Sequence, residues 1–295
     1  MVSIIVPAYK DPYLQKTIHS LLSNAKGKIE VIVVLDGYIL PAPLTSDSRV
    51  KIISFPENLG MRAAINAGIS EAHGKFIMKC DSHCVFGSGF DKIMSQHSEE
   101  NWLMIPRRYS VDELNWQRNE KRPIVDYYYV NIPVVTKFFG TCFCIQDWNQ
   151  RTKERRDPKY DIDDTMIFQG SCWFAHRKYF MKRVGFLDDR PEAYGPFGGE
   201  QLEIGLKYWL GGGEIKVIKK TWYAHLLKRT RHYRAGLFPR DYKLNRDLVH
   251  RRAWTMKHWL ENEELDVIHP FSWLVEKFWP VPSWPEDRSL WVAPK

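Results

Sequence analysis

Between residues 2 and 86 apolar runs alternate with helical spacings, and no other feature limits the fold as much. Val2 to Val6 is a strand-like run that ends at Pro7-Ala8-Tyr9-Lys10, and a helical pattern at Leu14, Ile18, Leu21 and Leu22 follows. Ile29 to Leu35 is a second run, ended by Asp36-Gly37, and Val50 to Phe55 is a third. Asn58-Leu59-Gly60 then leads into a helix carrying Arg62, Ala63, Asn66 and Ala67, and Lys75 to Cys80 returns as a buried strand. Strands separated by helices predict an α/β fold with a mostly parallel sheet flanked by helices. Ligands of such sheets sit outside the carboxyl ends of the strands, where Pro7, Asp36 and Asp81 all fall.

Asp81-Ser82-His83 carries the chemistry of that edge. Residues i and i+2 of an extended segment point the same way, so the Asp81 carboxylate and the His83 imidazole can reach one ion. Such a pair suits a divalent cation such as Mn²⁺ or Mg²⁺, which can in turn hold a diphosphate. The plainer alternative is an Asp that closes a turn beside an incidental surface His.

A series of motifs occurs in a fixed order, and together they resemble a known family. Ile5-Val6-Pro7-Ala8-Tyr9, Val33-Val34-Leu35-Asp36-Gly37, Asn58-Leu59-Gly60 and the metal motif are similar to the nucleotide-sugar half of GT-A glycosyltransferases of the family 2 type. Arg62-Ala63, His73-Gly74, Asp81-Ser82-His83-Cys84, Phe197-Gly198-Gly199-Glu200-Gln201-Leu202-Glu203-Ile204 and His225 are similar to the polypeptide N-acetylgalactosaminyltransferases. The resemblance covers residues 2 to 230. It implies a Rossmann-like GT-A domain over 1–230, with 231–295 as a basic, Trp- and Pro-rich extension packed on it.

The resemblance also implies roles. His225, after the strand-like Ile215 to Ile218, matches the late His of the family and becomes the third metal ligand beside Asp81 and His83. Asp36 accepts from uracil, and Tyr9 with the backbone at Pro7 borders the base, although Leu35 replaces the first of the family's paired Asp residues. Arg62 matches a donor-contacting Arg, with a surface helix Arg as the alternative. Ser82 contacts ribose or diphosphate, and Lys228 stands where the family has a diphosphate-binding Arg. Glu200 is the acidic residue that deprotonates the acceptor hydroxyl in inverting enzymes or positions sugar and acceptor in retaining relatives. Gln201 replaces the relatives' Asn, and Phe197, on the donor side, replaces their Trp; stereochemistry stays open. Glu203 reads as a helix charge.

Charge bears on the acceptor. Residues 216–257 carry thirteen Lys and Arg against Asp241 and Asp247, a net +11 in a chain of net +8, so the remainder is −3. Trp222, Tyr223, Tyr233, Phe238, Tyr242 and Trp254 lie among these cations, the mixture that suits a nucleic-acid surface. Arg229, Arg231, Tyr233, Arg251 and Arg252 are the candidate acceptor contacts, and a hydroxylated base in DNA is the acceptor they suggest. The alternatives are a protein Ser or Thr, a glycan, or a solvated helical face without an acceptor role. A GT-A-like scaffold that binds nucleic acid or a partner without turnover is the non-enzyme reading.

Arg151 to Asp157 reads as a mobile loop, and the prolines after His258 exclude a long helix there. The five tryptophans of that tail predict packing on the catalytic domain. Cys142-Phe143-Cys144 reads as core, and five sparse cysteines predict thiols. No apolar run approaches the roughly 20 residues that span a bilayer, and the N-terminus lacks a signal pattern. A cytoplasmic protein is therefore expected.

Overall fold

The structure, a computed structural model, describes residues 1–136, 140–227 and 242–291. The alternation predicted from the sequence is present: β1 (Val2–Ala8), α1 (Leu14–Asn24), β2 (Ile29–Leu35), β3 (Val50–Ser54), α2 (Met61–Ser70) and β4 (Phe76–Cys80) follow in order. Next come β5 (Cys84–Phe86), α3 (Phe90–His97), β6 (Trp102–Asp112) and β7 (Gln117–Asn119). Short elements then cross the middle of the chain: β8 (Tyr128–Val130), β9 (Val134–Thr136), β10 (Gly140–Cys142), β11 (Ile145–Asp147), α4 (Asn149–Glu154) and β12 (Ile162–Asp164). β13 (Cys172–His176), α5 (Arg177–Arg183), α6 (Glu200–Leu210), β14 (Glu214–His225), α7 (Tyr242–Leu260) and α8 (Phe271–Lys277) complete the chain.

The central sheet has the order β12-β14-β6-β13-β4-β1-β2-β3, with β5 and β7 attached to β14 and β6. β3, β2, β1, β4, β6 and β14 run one way, whereas β13 and β12 run against them. The sheet is therefore mostly parallel by direction. Its strands are apolar on both faces, and the two-residue period divides them between two cores. Ile4, Val6, Val31, Val33 and Met78 pack with α1 and α3, whereas Ile5, Ile32, Val34 and Ile77 pack with α2, α5 and α6.

The C-terminal segment belongs to the second of these cores. Trp259, Phe271, Leu274, Phe278 and Trp284 join the cluster that contains Trp209. The indoles find acceptors within the body, as buried Trp requires: Trp259 Nε1 donates to Tyr194 Oη at 2.8 Å and Trp284 Nε1 to the Val130 carbonyl at 2.7 Å. Pro270 opens α8 at its N-cap, which ends seven residues later, so the prolines limit helix length as expected.

One expectation fails. Arg151 to Glu154 is helical, inside α4, not a loop. The guanidinium of Arg151 lies over the rings of Tyr127, Trp148 and Phe278 at 5.2, 5.2 and 5.4 Å, and its Nη2 donates to the Asp164 carbonyl at 3.2 Å. A planar cation stacked on rings orders a segment whose charges suggest mobility. Among the described residues no helix is long and apolar enough to cross a membrane.

The shared core makes the extension integral. Trp259→Ala should lower the unfolding free energy by about 3–5 kcal/mol, seen as an earlier urea midpoint in a single transition. An unchanged midpoint, or a separate early transition, would show that the extension is only attached.

Candidate active site

Asp81 leaves the end of β4, His83 ends the short connection to β5, and His225 ends β14. β5 pairs with β14 so that His225 faces Cys84, next to His83. One donor atom from each of Asp81, His83 and His225 lies within 4.8 Å of the others. His225 Nε2 is 3.1 Å and His83 Nε2 3.8 Å from Asp81 Oδ2. Both imidazoles are buried, while a quarter of the Asp81 side chain, 24%, stays open to solvent.

The residues fit a divalent cation. His83 Nδ1 donates to Asp11 Oδ2 at 2.8 Å, which leaves its Nε2 lone pair aimed toward Asp81. Burial pushes His225 down to about 4, partly opposed by its bond to Asp81, so at neutral pH it is an uncharged ligand. Burial would raise Asp81, but Lys79 and then the bond from His225 hold it well below the usual carboxylate range. Two imidazoles and one carboxylate are a donor set for a first-row divalent ion.

Sequence reasoning missed Asp11. It accepts from Ser82 Oγ at 2.5 Å, from His83 Nδ1 and from the Tyr13 backbone N–H at 3.0 Å. Its place three residues beyond β1, on the ligand-binding edge, was the available signal. Lys79 was missed as well. Its side chain is fully buried; Nζ donates to Asp81 Oδ1 at 2.6 Å and to the Gly170 carbonyl at 2.8 Å, and it lies 3.5 Å from Glu200 Oε1. Burial alone would lower the Lys79 pKa, yet Asp81 and then Glu200 outweigh it and hold the ammonium above the ordinary lysine value.

Glu200 opens α6 after Gly198 and Gly199, whose φ angles of +82° and +71° suit glycine. The carboxylate thus enters the first helical turn, where the helix dipole favours negative charge. Gly170 packs against it: a Cβ there would fall 2.4 Å from Glu200 Oε1. On the other side of the turn lies a cavity walled by Phe143, Phe197, Leu202, Leu248, Arg251 and Arg252.

The remaining expected residues are placed unevenly. Pro7 lies in β1, whose last residue is paired with Leu35, the residue before Asp36, and Tyr9 meets Tyr38 edge-on at 6.2 Å. Both Asp36 oxygens accept: Oδ1 from Leu59 N at 2.7 Å, Oδ2 from Asn58 Nδ2 at 2.9 Å and from Gly60 N at 3.0 Å. Burial raises the Asp36 pKa, and the bonds from Leu59 and Gly60 oppose the shift. Arg62 is neither a surface cation nor open to solvent. It is fully buried, pairs with Glu203 at 2.5 Å, and donates to the Gly198 carbonyl at 3.0 Å and the Asp188 carbonyl at 3.1 Å. Glu203 is therefore its internal counter-ion and more than a helix charge.

Lys228, Arg229, Arg231 and Tyr233 lie outside the described residues. Three described members of the basic run are engaged within the protein. Lys216 pairs with Asp164 at 2.6 Å and with Glu214, Lys219 donates to the Arg155 carbonyl, and Arg251 donates to the Pro191 carbonyl at 2.9 Å. Tyr223 is fully buried in the core and is no stacking platform.

A mostly parallel sheet that gathers an Asp and two His at its carboxyl edge, with a glycine-preceded Glu facing them, defines a GT-A glycosyltransferase. The family model "Glycosyl transferase family 2" matches residues 3–184, from β1 through α5. The chain belongs to that family. Polypeptide N-acetylgalactosaminyltransferase 3 of Mus musculus is 25% identical over 240 residues, 77% of this chain and 36% of its own length. The crystal structure of GalNAc-T7 with UDP, GalNAc and Mn2+ superposes with a TM-score of 0.60 at 14% identity, covering 94% of this chain and 56% of that one. S. aureus TarS 1–349 in complex with UDP-GlcNAc gives a TM-score of 0.50 at 14% identity over 79% of this chain and 60% of that chain. The chain spans less than half the length of the first curated relatives it matches.

Asp11 is the residue through which this geometry can be tested. Asp11→Asn removes the charge that holds His83 in its ligating tautomer, so Mn²⁺ affinity should fall about 10- to 100-fold, measured by calorimetry on the folded variant. Unaltered affinity would separate His83 from the cation.

Proposed function

We propose that the protein is a metal-dependent glycosyltransferase that moves a sugar from a UDP-sugar to a hydroxyl acceptor. The observation that carries this reading is the convergence of Asp81, His83 and His225 at the sheet edge of a family 2 chain, with Glu200 facing the same edge. Cleavage of a sugar–phosphate bond leaves negative charge on the diphosphate, and Asp81, His83 and His225 would hold a divalent cation that supplies the neutralising charge. Mn²⁺ is the proposed ion, because the GalNAc-T7 structure contains it.

The chain's own groups supply the rest. Pro7, Tyr9 and Asp36 border the nucleoside, and Ser82, between the ligands, belongs to the donor side together with Lys228. Phe197 borders the transferred sugar. Arg62 acts indirectly, by holding the Gly198 carbonyl. Glu200 accepts the proton of the acceptor hydroxyl or positions that hydroxyl against the sugar. Residues 1–230 form the catalytic unit and 231–295 its extension. UDP in both solved neighbours supports a uridine donor, and their sugars support an N-acetylhexosamine.

For the acceptor, the relatives' names favour a protein or glycan hydroxyl. A hydroxylated base in DNA retains one support among the described residues, the presence of Arg251 and Arg252 beside the Gly198–Gly199 turn.

Incubation with Mn²⁺ and a panel of nucleotide sugars should release UDP from a UDP-N-acetylhexosamine, and chelator should stop it. Absence of turnover with every donor would leave a binding scaffold. Glu200→Gln should retain UDP binding and lower transfer by about 10² or more, the range of a positioned acid–base group.

The DNA reading has its own test. Affinity for duplex carrying hydroxymethylated bases should fall with salt at a log–log slope of about −0.9 per phosphate neutralised, and Arg251→Ala/Arg252→Ala should flatten it. A shallow slope with no transfer to that DNA would exclude the DNA acceptor and leave the protein or glycan hydroxyl.

A further inference from the structure

We propose that Lys79 is a positioning residue that locks the Glu200 carboxylate to the metal-binding edge, so that the group receiving the acceptor proton is aligned before substrate arrives. This rests on the glycosyltransferase reading and on the role given there to Glu200.

The setting of Lys79 makes a purely apolar function unreasonable. It lies inside β4, paired with Ile5 on one side and Trp173 on the other, and its side chain has no exposure. An apolar side chain of similar length would pack there without the several kcal/mol that burying an ammonium costs. An ammonium offers three donors. One goes to Asp81 Oδ1 and one to the Gly170 carbonyl, which leaves the third directed toward Glu200 Oε1 at 3.5 Å.

Each contact restricts a neighbour. Holding Oδ1 of Asp81 fixes the carboxylate rotation, so that Oδ2 is the oxygen presented to His83 and His225. Holding Gly170 brings a backbone without a side chain against Glu200. Asp81 and Glu200 would otherwise be two like charges in one buried site, and each would repel the other from its working place. A cation between them ties the donor-side ligand to the acceptor-side carboxylate through one atom.

A double-mutant cycle tests this with UDP-N-acetylgalactosamine and UDP-N-acetylglucosamine as probes and UDP release in Mn²⁺ as the readout. At Mn²⁺ concentrations that saturate the site, Lys79→Met should lower kcat on the order of 10- to 100-fold, while the donor KM changes by less than about threefold. In a Glu200→Gln background the same substitution should cost less than about threefold, because residues acting through one another are non-additive. Equal losses in both backgrounds, the result of a role confined to the Asp81 ligand, would overturn the proposal. If Lys79→Met does not fold, Lys79→Gln takes its place in the cycle. If neither folds, Lys79 is a structural ion-pair member and the proposal falls. Full turnover by Glu200→Gln alone would instead refute the role given to Glu200 and remove the partner of Lys79. No UDP release by the wild-type protein would refute the parent reading itself.

Discussion

The site depends on the register of β14. This strand is gripped along one edge by β6, parallel, and at its end by β5, antiparallel. Ile218 faces Pro106 and Trp222 faces Arg107, so residues 219–221 form an irregularity with no counterpart on β6. Such a bulge resets which face each later side chain takes, and a slip of one residue would turn His225 away from Asp81. The ladder therefore carries the accuracy of the triad, and the loops between ligands need supply little of it. Asp11 finishes the alignment by holding the far nitrogen of His83.

The Glu200 turn is fixed by a related economy of buried charge. Lys79 approaches it from the sheet, while Arg62 approaches from α2 and holds both the Gly198 carbonyl and Glu203 in the first turn of α6. The Arg62 backbone N–H also donates to the Pro196 carbonyl at 3.2 Å, so the start of α2 is tied to the segment that leads into Glu200. Two internal cations thus brace one short segment from opposite sides. Buried ion pairs contribute little net stability on average. Their value here is geometric, because each fixes a backbone carbonyl as well as a carboxylate.

This explains which parts were legible in the sequence. Strand runs, the helical spacing of α1 and α2, and the Asp81-Ser82-His83 spacing depend on neighbours close in the chain, and the fold follows from them; His225 came from the family resemblance, and the structure places it beside Asp81 and His83. Arg62, Lys79 and Asp11 depend on partners that meet only in the folded protein: Glu203 is 141 residues from Arg62, and Ser82 is 71 residues from Asp11. Lys79 was concealed further by its place in an apolar run, where a single polar residue reads as an edge of the pattern. The basic stretch was only partly legible, for the opposite reason. Counting charges treats every side chain as solvent-facing, whereas Lys216 and Lys219 are turned inward to Asp164 and the Arg155 carbonyl. Arg151 shows the same error in a segment expected to be a loop.

Asp36 shows how this folded geometry bears on the proposed uridine donor. A carboxylate has about four acceptor sites, and Asp36 already receives Leu59 N, Asn58 Nδ2 and Gly60 N, the last of which reaches both oxygens at 3.0 and 3.3 Å. Leu59 and Gly60 donate from backbone that is continuous with α2, and a Cβ on Gly37 would collide with the same segment at Asn58 N, 2.1 Å away. Those two donors are therefore fixed by the fold. The Asn58 amide is the one donor carried on a side chain, and its exchange for the N3–H of a uracil replaces one amide-type bond by another. With Leu35 in place of a second Asp, nothing at that position supplies an additional acceptor. In the proposed uridine complex the N3–H would therefore compete with the Asn58 amide for Asp36, which ties the Asn-Leu-Gly segment to the strand end that carries Asp36.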